Sequence, residues 1–199
     1  MDKIPRPQTG AAHDSMTASG WITRFAPAVP PGPVLDLACG AGRHLRHFRS
    51  LGHAVTAVDR DLSGVRDLAG ADGVELIEAD LEAGAAWPLG GRQFMAVVVT
   101  NYLWRPLLPA IVGAVAPSGW LLYETFAQGN ERYGRPRNPD FLLRPGELLA
   151  AVEGRLTVIA YEHGRVEHPR TAVVQRIAAR AGTDPADAEC VIESAQNML

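Results

Sequence analysis

The clearest chemical signal in this sequence is a glycine turn that directly follows a short apolar run. Residues 34–44 read VLDLACGAGRH, and Gly40 and Gly42 follow the apolar part of that segment. Glycines at such a junction let the backbone turn tightly and approach a ligand closely. A dinucleotide-binding turn has a third glycine where this chain has Leu45, and the Asp36 carboxylate would repel a pyrophosphate. The turn therefore favours a ligand that carries a positive charge.

Two further acids end the next two apolar runs. Asp59 lies 17 residues after Gly42, where a doubly wound fold places the acid that accepts both hydroxyls of a ribose. Asp80 can accept an exocyclic amine, while the backbone amide of Leu81 can donate to a purine ring nitrogen. Three acids at three successive strand ends describe a nucleoside with a positively charged tail. S-adenosylmethionine is such a ligand.

Composition excludes several other kinds of chemistry. Lys3 is the single lysine among 19 basic residues, so a Schiff-base or P-loop lysine has no suitable position. The two cysteines, Cys39 and Cys190, are too few for a disulfide scaffold or a cysteine-based zinc site. The six histidines show no metal-ligand spacing, and His44 and His47, one turn apart, favour a solvated helix face. No metal site is predicted.

The charge and hydropathy of the chain limit the kinds of partner that it can have. The net charge of −3 provides no field that would attract a polyanion, which argues against nucleic acid as an obligate partner. No apolar run is long enough for a membrane span, and the first residues lack the apolar centre of a secretory signal. The sequence therefore predicts a cytoplasmic protein with no membrane partner.

The elements that must position these residues follow an alternating order, in which apolar runs alternate with segments of helical spacing. This order predicts right-handed crossovers and a mostly parallel, doubly wound sheet. Five strands are predicted at Val34–Ala38, Ala54–Val58, Val74–Ala79, Phe94–Thr100 and Trp120–Phe126. Helices are predicted at Ser19–Ala28, Arg43–Leu51, Ser63–Leu68, Leu107–Ala116, Pro145–Val152 and Asp184–Leu199. The runs Leu156–Glu162 and Thr171–Ala178 predict an antiparallel hairpin at the sheet edge.

With these motifs the chain resembles the class I S-adenosylmethionine-dependent methyltransferases. The resemblance rests on VLDLACGAGRH at 34–44, VTAVDRD at 55–61, EADL at 78–81 and NYLWRP at 101–106. It covers about residues 30–178 and is strongest to the small bacterial tellurite-resistance and thiopurine-methyltransferase-like group. It implies an α/β, doubly wound (Rossmann-like) fold with a seven-stranded, mostly parallel sheet, a C-terminal antiparallel strand and helices on both faces. Residues 1–29 would form an N-terminal arm and a short lid helix, and residues 30–199 the methyltransferase domain.

The same resemblance implies the donor contacts. S-adenosylmethionine would be the methyl donor and S-adenosylhomocysteine the product. Asp36, Gly40 and Gly42 match the methionine end, Asp59 with Arg60 the ribose, Asp80 with Leu81 the adenine, and Thr100 the methyl group.

The acceptor side is expected after the fourth and fifth strands and in the long segment 128–144, because ligands bind outside the carboxyl ends of the strands in such folds. The predicted catalytic residues are Asn101, Tyr102 and Glu124, and the predicted substrate contacts are Trp104, Arg105, Tyr133 and Arg135. Several alternatives stay open. Tyr102 could pack under a helix, and Arg105 could cap a surface turn. Glu124 could be a general base or a structural acid paired with an arginine of the long segment, which itself could be a lid or a solvated loop.

The sequence thus predicts a methyltransferase that acts on a small-molecule acceptor. Methylation of RNA or protein is the alternative within the same class. A nicotinamide-dependent oxidoreductase and a non-catalytic nucleoside-binding module are the alternatives outside it. The acceptor atom is open, and so is the choice between a monomer and a homodimer.

Overall fold

The computed structural model describes residues 16–82, 84 and 87–182, and its centre is a seven-stranded sheet. The strands are Val34–Leu37 (β1), Val55–Asp59 (β2), Val74–Glu78 (β3), Phe94–Thr100 (β4), Val115–Phe126 (β5), Leu156–Val166 (β6) and Ala172–Ala181 (β7). Their order across the sheet is β3-β2-β1-β4-β5-β7-β6. The pairs among β1 to β5 are parallel, whereas β7 is antiparallel to β5 and to β6. The predicted fold class is confirmed.

Within the described residues, four short α-helices cover the two faces of the sheet. They span Gly20–Phe25 (α1), Arg43–Ser50 (α2), Leu108–Gly113 (α3) and Glu147–Val152 (α4). Helices α1 and α2 share one apolar cluster with alternate residues of the central strands, and α3 and α4 share the cluster on the opposite face. Successive side chains of a strand point to opposite faces, so strands covered on both sides must be apolar throughout. This explains the unbroken runs in β1 and β4.

Several predicted elements differ from the structure in type or extent, and others cannot be compared with it. The predicted helix Ser63–Leu68 is a 3₁₀-helix over Leu62–Leu68. The predicted helix Leu107–Ala116 ends at Gly113, because β5 begins at Val115 rather than at Trp120. The predicted closing helix Asp184–Leu199 and most of the predicted N-terminal arm lie outside the described residues.

The hairpin of β6 and β7 extends beyond the end of β5, the strand with which β7 pairs. Strand β7 pairs with β5 as far as Phe126, which lies opposite Val174, but the β6–β7 pairing continues to Val166 opposite Ala172. The hairpin turn therefore projects past the carboxyl end of β5. That edge of the sheet, where β1 to β5 also end, is where the candidate site lies.

Candidate functional site

The glycine turn between β1 and α2 has a conformation that favours glycine at two positions. Gly40 has φ +53° and Gly42 has φ +71°, both in the left-handed region that glycine adopts without strain. A Cβ atom on Gly42 would lie 2.3 Å from Cγ1 of Val65, whereas a Cβ on Gly40 would meet no atom within 4 Å. Packing thus requires glycine at Gly42, while Gly40 presents an open backbone face.

Asp36 acts on this turn from inside the protein. Its side chain is buried, and Oδ2 accepts a hydrogen bond of 2.9 Å from the backbone N–H of Leu45 in the first part of α2. Burial raises the pKa of Asp36 to about 7, with nearby Arg43 acting in the opposite direction. Through this hydrogen bond, Asp36 orients the turn and the start of α2.

Asp59 and Asp80 accept hydrogen bonds from backbone N–H groups at the ends of β2 and β3. Asp59 is half-buried, and its Oδ2 accepts a 2.8 Å hydrogen bond from the N–H of Gly40, while Oδ1 accepts one of 3.0 Å from Asp61. Asp80 is exposed, and its Oδ1 accepts a 2.9 Å bond from the N–H of Glu82. Because β1, β2 and β3 are adjacent and parallel, the three acids follow one edge of the sheet. We refer to this edge, with Gly40 and Gly42, as the donor half.

Tyr102 belongs to the donor half. The ring is buried in the same apolar cluster as Ala79 and Leu81, and the hydroxyl has no hydrogen-bond partner among the described residues. Burial and the charges of Glu82, Asp80 and Asp59 raise the pKa of this phenol well above its usual range. Tyr102, predicted as a catalytic residue, lies near these acids and is not among the residues that line the acceptor cleft described below.

A buried histidine connects α1 to the end of β4. Nε2 of His44 accepts a 3.3 Å hydrogen bond from the N–H of Ser19, the N-cap of α1, and Nδ1 lies 3.4 Å from Oγ1 of Thr100. Burial lowers the pKa of His44 to about 3, so the imidazole is neutral at physiological pH. The predicted solvated position of His44 is therefore wrong. Its two contacts instead hold the start of α1 over the end of β4.

An open cleft of ≈ 590 Å³ lies next to the glycine turn, and we call it the acceptor cleft. One wall is the start of α1 with Trp21, and the floor is Asn101 with the end of β5 at Glu124. Asn101 has φ +54°, and its N–H donates to the carbonyl of Glu124. The opposite wall comes from the hairpin turn and β7. The indole Nε1 of Trp21 donates a 3.2 Å bond to the carbonyl of Ile177, which attaches α1 to β7.

Glu124 is an ion-paired acid. Oε2 of Glu124 lies 3.1 Å from Nε of Arg176, and the two side chains are only 12% and 21% exposed. Arg176 also lies 3.4 Å from a carboxylate oxygen of Glu162. The sequence left open a general base or a structural acid at this position. The structure shows the pairing, although the arginine comes from β7 and not from the long segment.

The long segment 128–144 is fastened to the rest of the chain. Arg105 makes two hydrogen bonds to the Glu147 carboxylate, of 2.6 and 3.0 Å, and it also donates to the carbonyls of Asp140 and Leu142. The buried Asn130 accepts a 3.2 Å bond from the N–H of Val173. The guanidinium of Arg105, predicted as a substrate contact, is thus bonded to this loop and does not line the acceptor cleft.

The other three predicted substrate contacts also lie apart from the acceptor cleft. Trp104 packs against the apolar cluster under α3 and α4. Tyr133 is exposed, and Arg135 contributes its carbonyl oxygen to a hydrogen bond from Arg170. None of the three lines the cleft.

Sequence reasoning missed the arginines that do line the cleft, namely Arg43, Arg170 and Arg176. Arg43 is the first residue of α2. The sequence feature that could have pointed to it is its position directly after the glycine turn. Arg170 and Arg176 lie at the hairpin, where the signal was an excess of arginine over acidic residues. Among the residues that the structure describes, no group of three histidine, cysteine or acidic side chains could hold a metal ion. No helix in that part of the chain is long and apolar enough to cross a membrane.

Comparison with known proteins places this geometry in context. The family model described as tellurite resistance protein TehB matches residues 14–84. A search of curated proteins gives no match.

Solved structures extend the comparison to the whole fold. TehB from Haemophilus influenzae superposes with a TM-score of 0.67 at 19% identity, over 82% of this chain and 62% of that chain. A 1,6-didemethyltoxoflavin-N1-methyltransferase from Burkholderia thailandensis, with 1,6-didemethyltoxoflavin and S-adenosylhomocysteine bound, gives a TM-score of 0.63 at 19% identity, over 87% of this chain and 80% of that chain. The glycopeptide N-methyltransferase MtfA, complexed with S-adenosylhomocysteine, gives 0.57 at 21% identity, over 88% and 94%.

This chain therefore spans less than two thirds of the length of the Haemophilus TehB structure. The resemblance predicted from the motifs is confirmed: the chain has the Rossmann-like fold of the class I S-adenosylmethionine-dependent methyltransferases, and its residues 14–84 match the TehB family.

Proposed function

We propose that this protein transfers a methyl group from S-adenosylmethionine to a small molecule bound in the acceptor cleft. The observation that carries the proposal is the position of the Asp59 carboxylate, 2.8 Å from the N–H of Gly40 at the open face of the glycine turn. An acid in the position that would bind a ribose therefore lies beside a backbone segment that a ligand can approach closely. Both are next to a cleft of ≈ 590 Å³. The ligands named for the structural neighbours support the same reading.

The residues of the donor half fit this nucleoside group by group. Asp59 would accept the ribose hydroxyls, with Arg60 exposed beside it, and Asp80 with the N–H of Leu81 would bind the adenine. The unpartnered hydroxyl of Tyr102 gives the same region a further hydrogen-bonding group. Arg43 has no carboxylate partner among the described residues, so its charge suits the carboxylate of the methionine tail. Thr100 and Asn101 stand at the junction with the cleft.

When bound, the donor supplies a methyl group that is already activated on a positively charged sulfur. The acceptor's lone pair forms the new bond to carbon, the carbon–sulfur electron pair stays on sulfur, and S-adenosylhomocysteine leaves. The protein then has to align the two molecules and exclude water. Asn101, on the cleft floor, can orient the acceptor. Proton removal by Glu124 would break its ion pair with Arg176, so we assign Glu124 a positioning role.

The proposal also includes predictions for the N-terminal helix, the cellular location and the oligomeric state. The start of α1, held by His44 and by Trp21, fits the predicted lid over the domain that follows residue 29. The free, buried thiol of Cys39 fits a cytoplasmic location. The choice between a monomer and a homodimer stays a prediction of the sequence.

Calorimetric titration of the purified chain with S-adenosylhomocysteine tests this function. We expect micromolar binding that Asp59→Ala weakens at least a hundredfold, because two charge-assisted hydrogen bonds to the ribose are worth about 3 kcal/mol or more. Asp72→Ala is the matched control, since Asp72 is an exposed aspartate outside the site, and it should leave the affinity unchanged. Binding of NADH in place of S-adenosylhomocysteine would show a dinucleotide site and contradict the proposal.

A further inference from the structure

The acceptor cleft carries an excess of positive charge. Arg43, Arg170 and Arg176 line it, against the single acid Glu124. Glu124 is matched by Arg176 at 3.1 Å, whereas neither Arg43 nor Arg170 has a carboxylate partner among the described residues. The whole chain has a net charge of −3, so the excess is a local property of this cleft.

The two unmatched arginines lie on different sides of the cleft. Arg43 adjoins the glycine turn, where the methionine tail of the donor is proposed to bind. Arg170 lies in the hairpin turn that projects past β5, on the acceptor side. Once the donor's carboxylate faces Arg43, the charge of Arg170 is the one left for the acceptor.

The guanidinium of Arg170 is held in place while most of its donors stay free. It lies over the ring of Phe126, with Cζ 5.0 Å from the ring centroid, and Nη2 donates a 3.3 Å bond to the carbonyl of Arg135. A guanidinium has five N–H donors in a planar fork that matches a carboxylate. Stacking on an aromatic ring reduces the conformational entropy that the side chain would lose on binding an anion.

The walls near Arg170 are largely apolar. Phe126, Val166, Pro169 and Val174 contribute to the lining on this side. Val166 and Val174 pack against the small apolar cluster around Phe126 and keep part of their surface exposed. A small inorganic ion would leave most of a ≈ 590 Å³ space, and these walls, in contact with water. A ligand with an apolar body would cover them and gain the free energy of apolar burial.

We propose that the methyl acceptor is a small organic acid with one negative charge, whose carboxylate binds Arg170 and whose apolar body packs against Phe126 and Val174. This inference rests on the proposed methyl transfer and specifies its substrate class. A single carboxylate balances the one unmatched charge. A doubly charged phosphate ester would leave a negative charge without a partner, and an amine would place two cations together.

The test uses the full chain saturated with S-adenosylhomocysteine and benzoate as the probe, with binding followed by ligand-observed NMR. Benzamide has the same ring without the charge, and phenyl phosphate carries a second charge. We expect benzoate to bind at least tenfold more tightly than either. Arg170→Glu should weaken benzoate at least tenfold and Arg170→Gln by a smaller factor. Arg49→Glu, at an exposed position of α2 outside the cleft, should have no effect.

Binding of S-adenosylhomocysteine to each variant separates the two proposals. Arg170→Glu should keep that affinity within twofold, which also shows that the variant is folded. Equal binding of benzoate and benzamide, or benzoate binding that is insensitive to Arg170→Glu, would overturn the organic-acid inference while the donor site stands. Binding of tellurite with no binding of benzoate would also overturn it. A chain that does not bind S-adenosylhomocysteine at all would contradict the proposed function and this inference with it.

Discussion

The donor half and the acceptor cleft share one edge of the sheet but are built in different ways. The donor half consists of a single turn and the residues that end three adjacent parallel strands, with Asp59 bonded directly to Gly40. The acceptor cleft joins parts of the chain that are far apart, as the hydrogen bond from Trp21 to Ile177 shows across 156 positions. Local backbone geometry defines the first region, whereas tertiary packing defines the second.

This difference separates the roles of side chains in the two regions. In the donor half, the groups proposed to bind are backbone N–H groups and short acids, and their positions follow from the strands. In the acceptor cleft, long side chains such as Arg170 and Arg176 converge only after β7 has been placed between β5 and β6. Substitutions should therefore affect stability and affinity differently in the two regions.

The largest effect is expected at the glycine turn, where two glycines differ in their surroundings. Gly42→Ala should lower the free energy of unfolding by about 4 kcal/mol, because it combines a left-handed conformation with a clash against Val65 at 2.3 Å. Gly40→Ala should cost only about 1 kcal/mol, since its Cβ meets open space. Urea unfolding measures both values. In titrations, Gly40→Ala should nevertheless weaken S-adenosylhomocysteine, because its methyl group would occupy the ligand's side of the turn. Equal losses of unfolding free energy in the two variants would contradict the assignment of a packing role to Gly42 alone.

A second test concerns the pH dependence that the donor half imposes on stability. The pKa of Asp36 is about 7 in the folded chain and has its lower, ordinary value when unfolded, so the unfolded state loses this proton first as pH rises. The stabilising contribution of Asp36 is thus fully present below about pH 4 and is lost as pH rises through 7. The asparagine of Asp36→Asn carries no charge at any pH. The free energy of unfolding of this variant, relative to that of the wild type, should therefore rise by about 2–3 kcal/mol from pH 5 to pH 8. Unfolding at several pH values measures the gain, and Asp72→Asn should show none.

The ion pair of the acceptor cleft provides a third test. Glu124 and Arg176 are mostly buried, so removal of either partner leaves a charge with poor solvation. A double-mutant cycle with Glu124→Gln and Arg176→Met should show a coupling of about 1–2 kcal/mol in unfolding free energy. Additive losses would mean that the pair does not stabilise the cleft and would reopen the role of Glu124 as a general base.

The smallest effect is expected at Tyr102, and it distinguishes the two regions directly. Tyr102→Phe should weaken S-adenosylhomocysteine about fivefold, the value of one hydrogen bond of about 1 kcal/mol, without loss of stability. Tyr123→Phe is the matched control, because that hydroxyl donates a 2.9 Å bond to the carbonyl of Tyr102. It should lower stability, and its effect on affinity should be smaller. An unchanged affinity in Tyr102→Phe would remove Tyr102 from the donor half.

The sequence was sufficient to predict the fold and the proximity of the glycine turn to Asp59. Apolar runs of a doubly covered sheet are continuous, and β4 was predicted at its observed bounds, Phe94–Thr100. Gly40, Gly42 and Asp59 could be recognised because a left-handed turn and a strand-end acid depend on local spacing. The buried position of His44 could not be recognised, because it depends on contacts with Ser19 and Thr100.

The acceptor side was less predictable for a physical reason. Arg105, Tyr133 and Arg135 follow β4 and β5 closely in sequence, so they were expected at the site. Arg105 instead binds Glu147 and the carbonyls of the long segment. The residues that line the cleft come from the hairpin, whose reach past β5 depends on strand lengths that composition does not determine.

The position of β7 in the sheet also orders the events of synthesis. Strand β7 lies between β5 and β6, so β6 leaves the ribosome before β7, with which it pairs, has been made. The strands and turn of the donor half are made much earlier, because β1, β2 and β3 precede β7 in the chain. The nascent chain therefore contains Asp36, Asp59 and Asp80 before the hairpin that forms one wall of the acceptor cleft has been made. Once β7 is complete, it can pair with β5 and β6 and accept the hydrogen bond from Trp21 that attaches α1. Both walls of the acceptor cleft are in place only after that step.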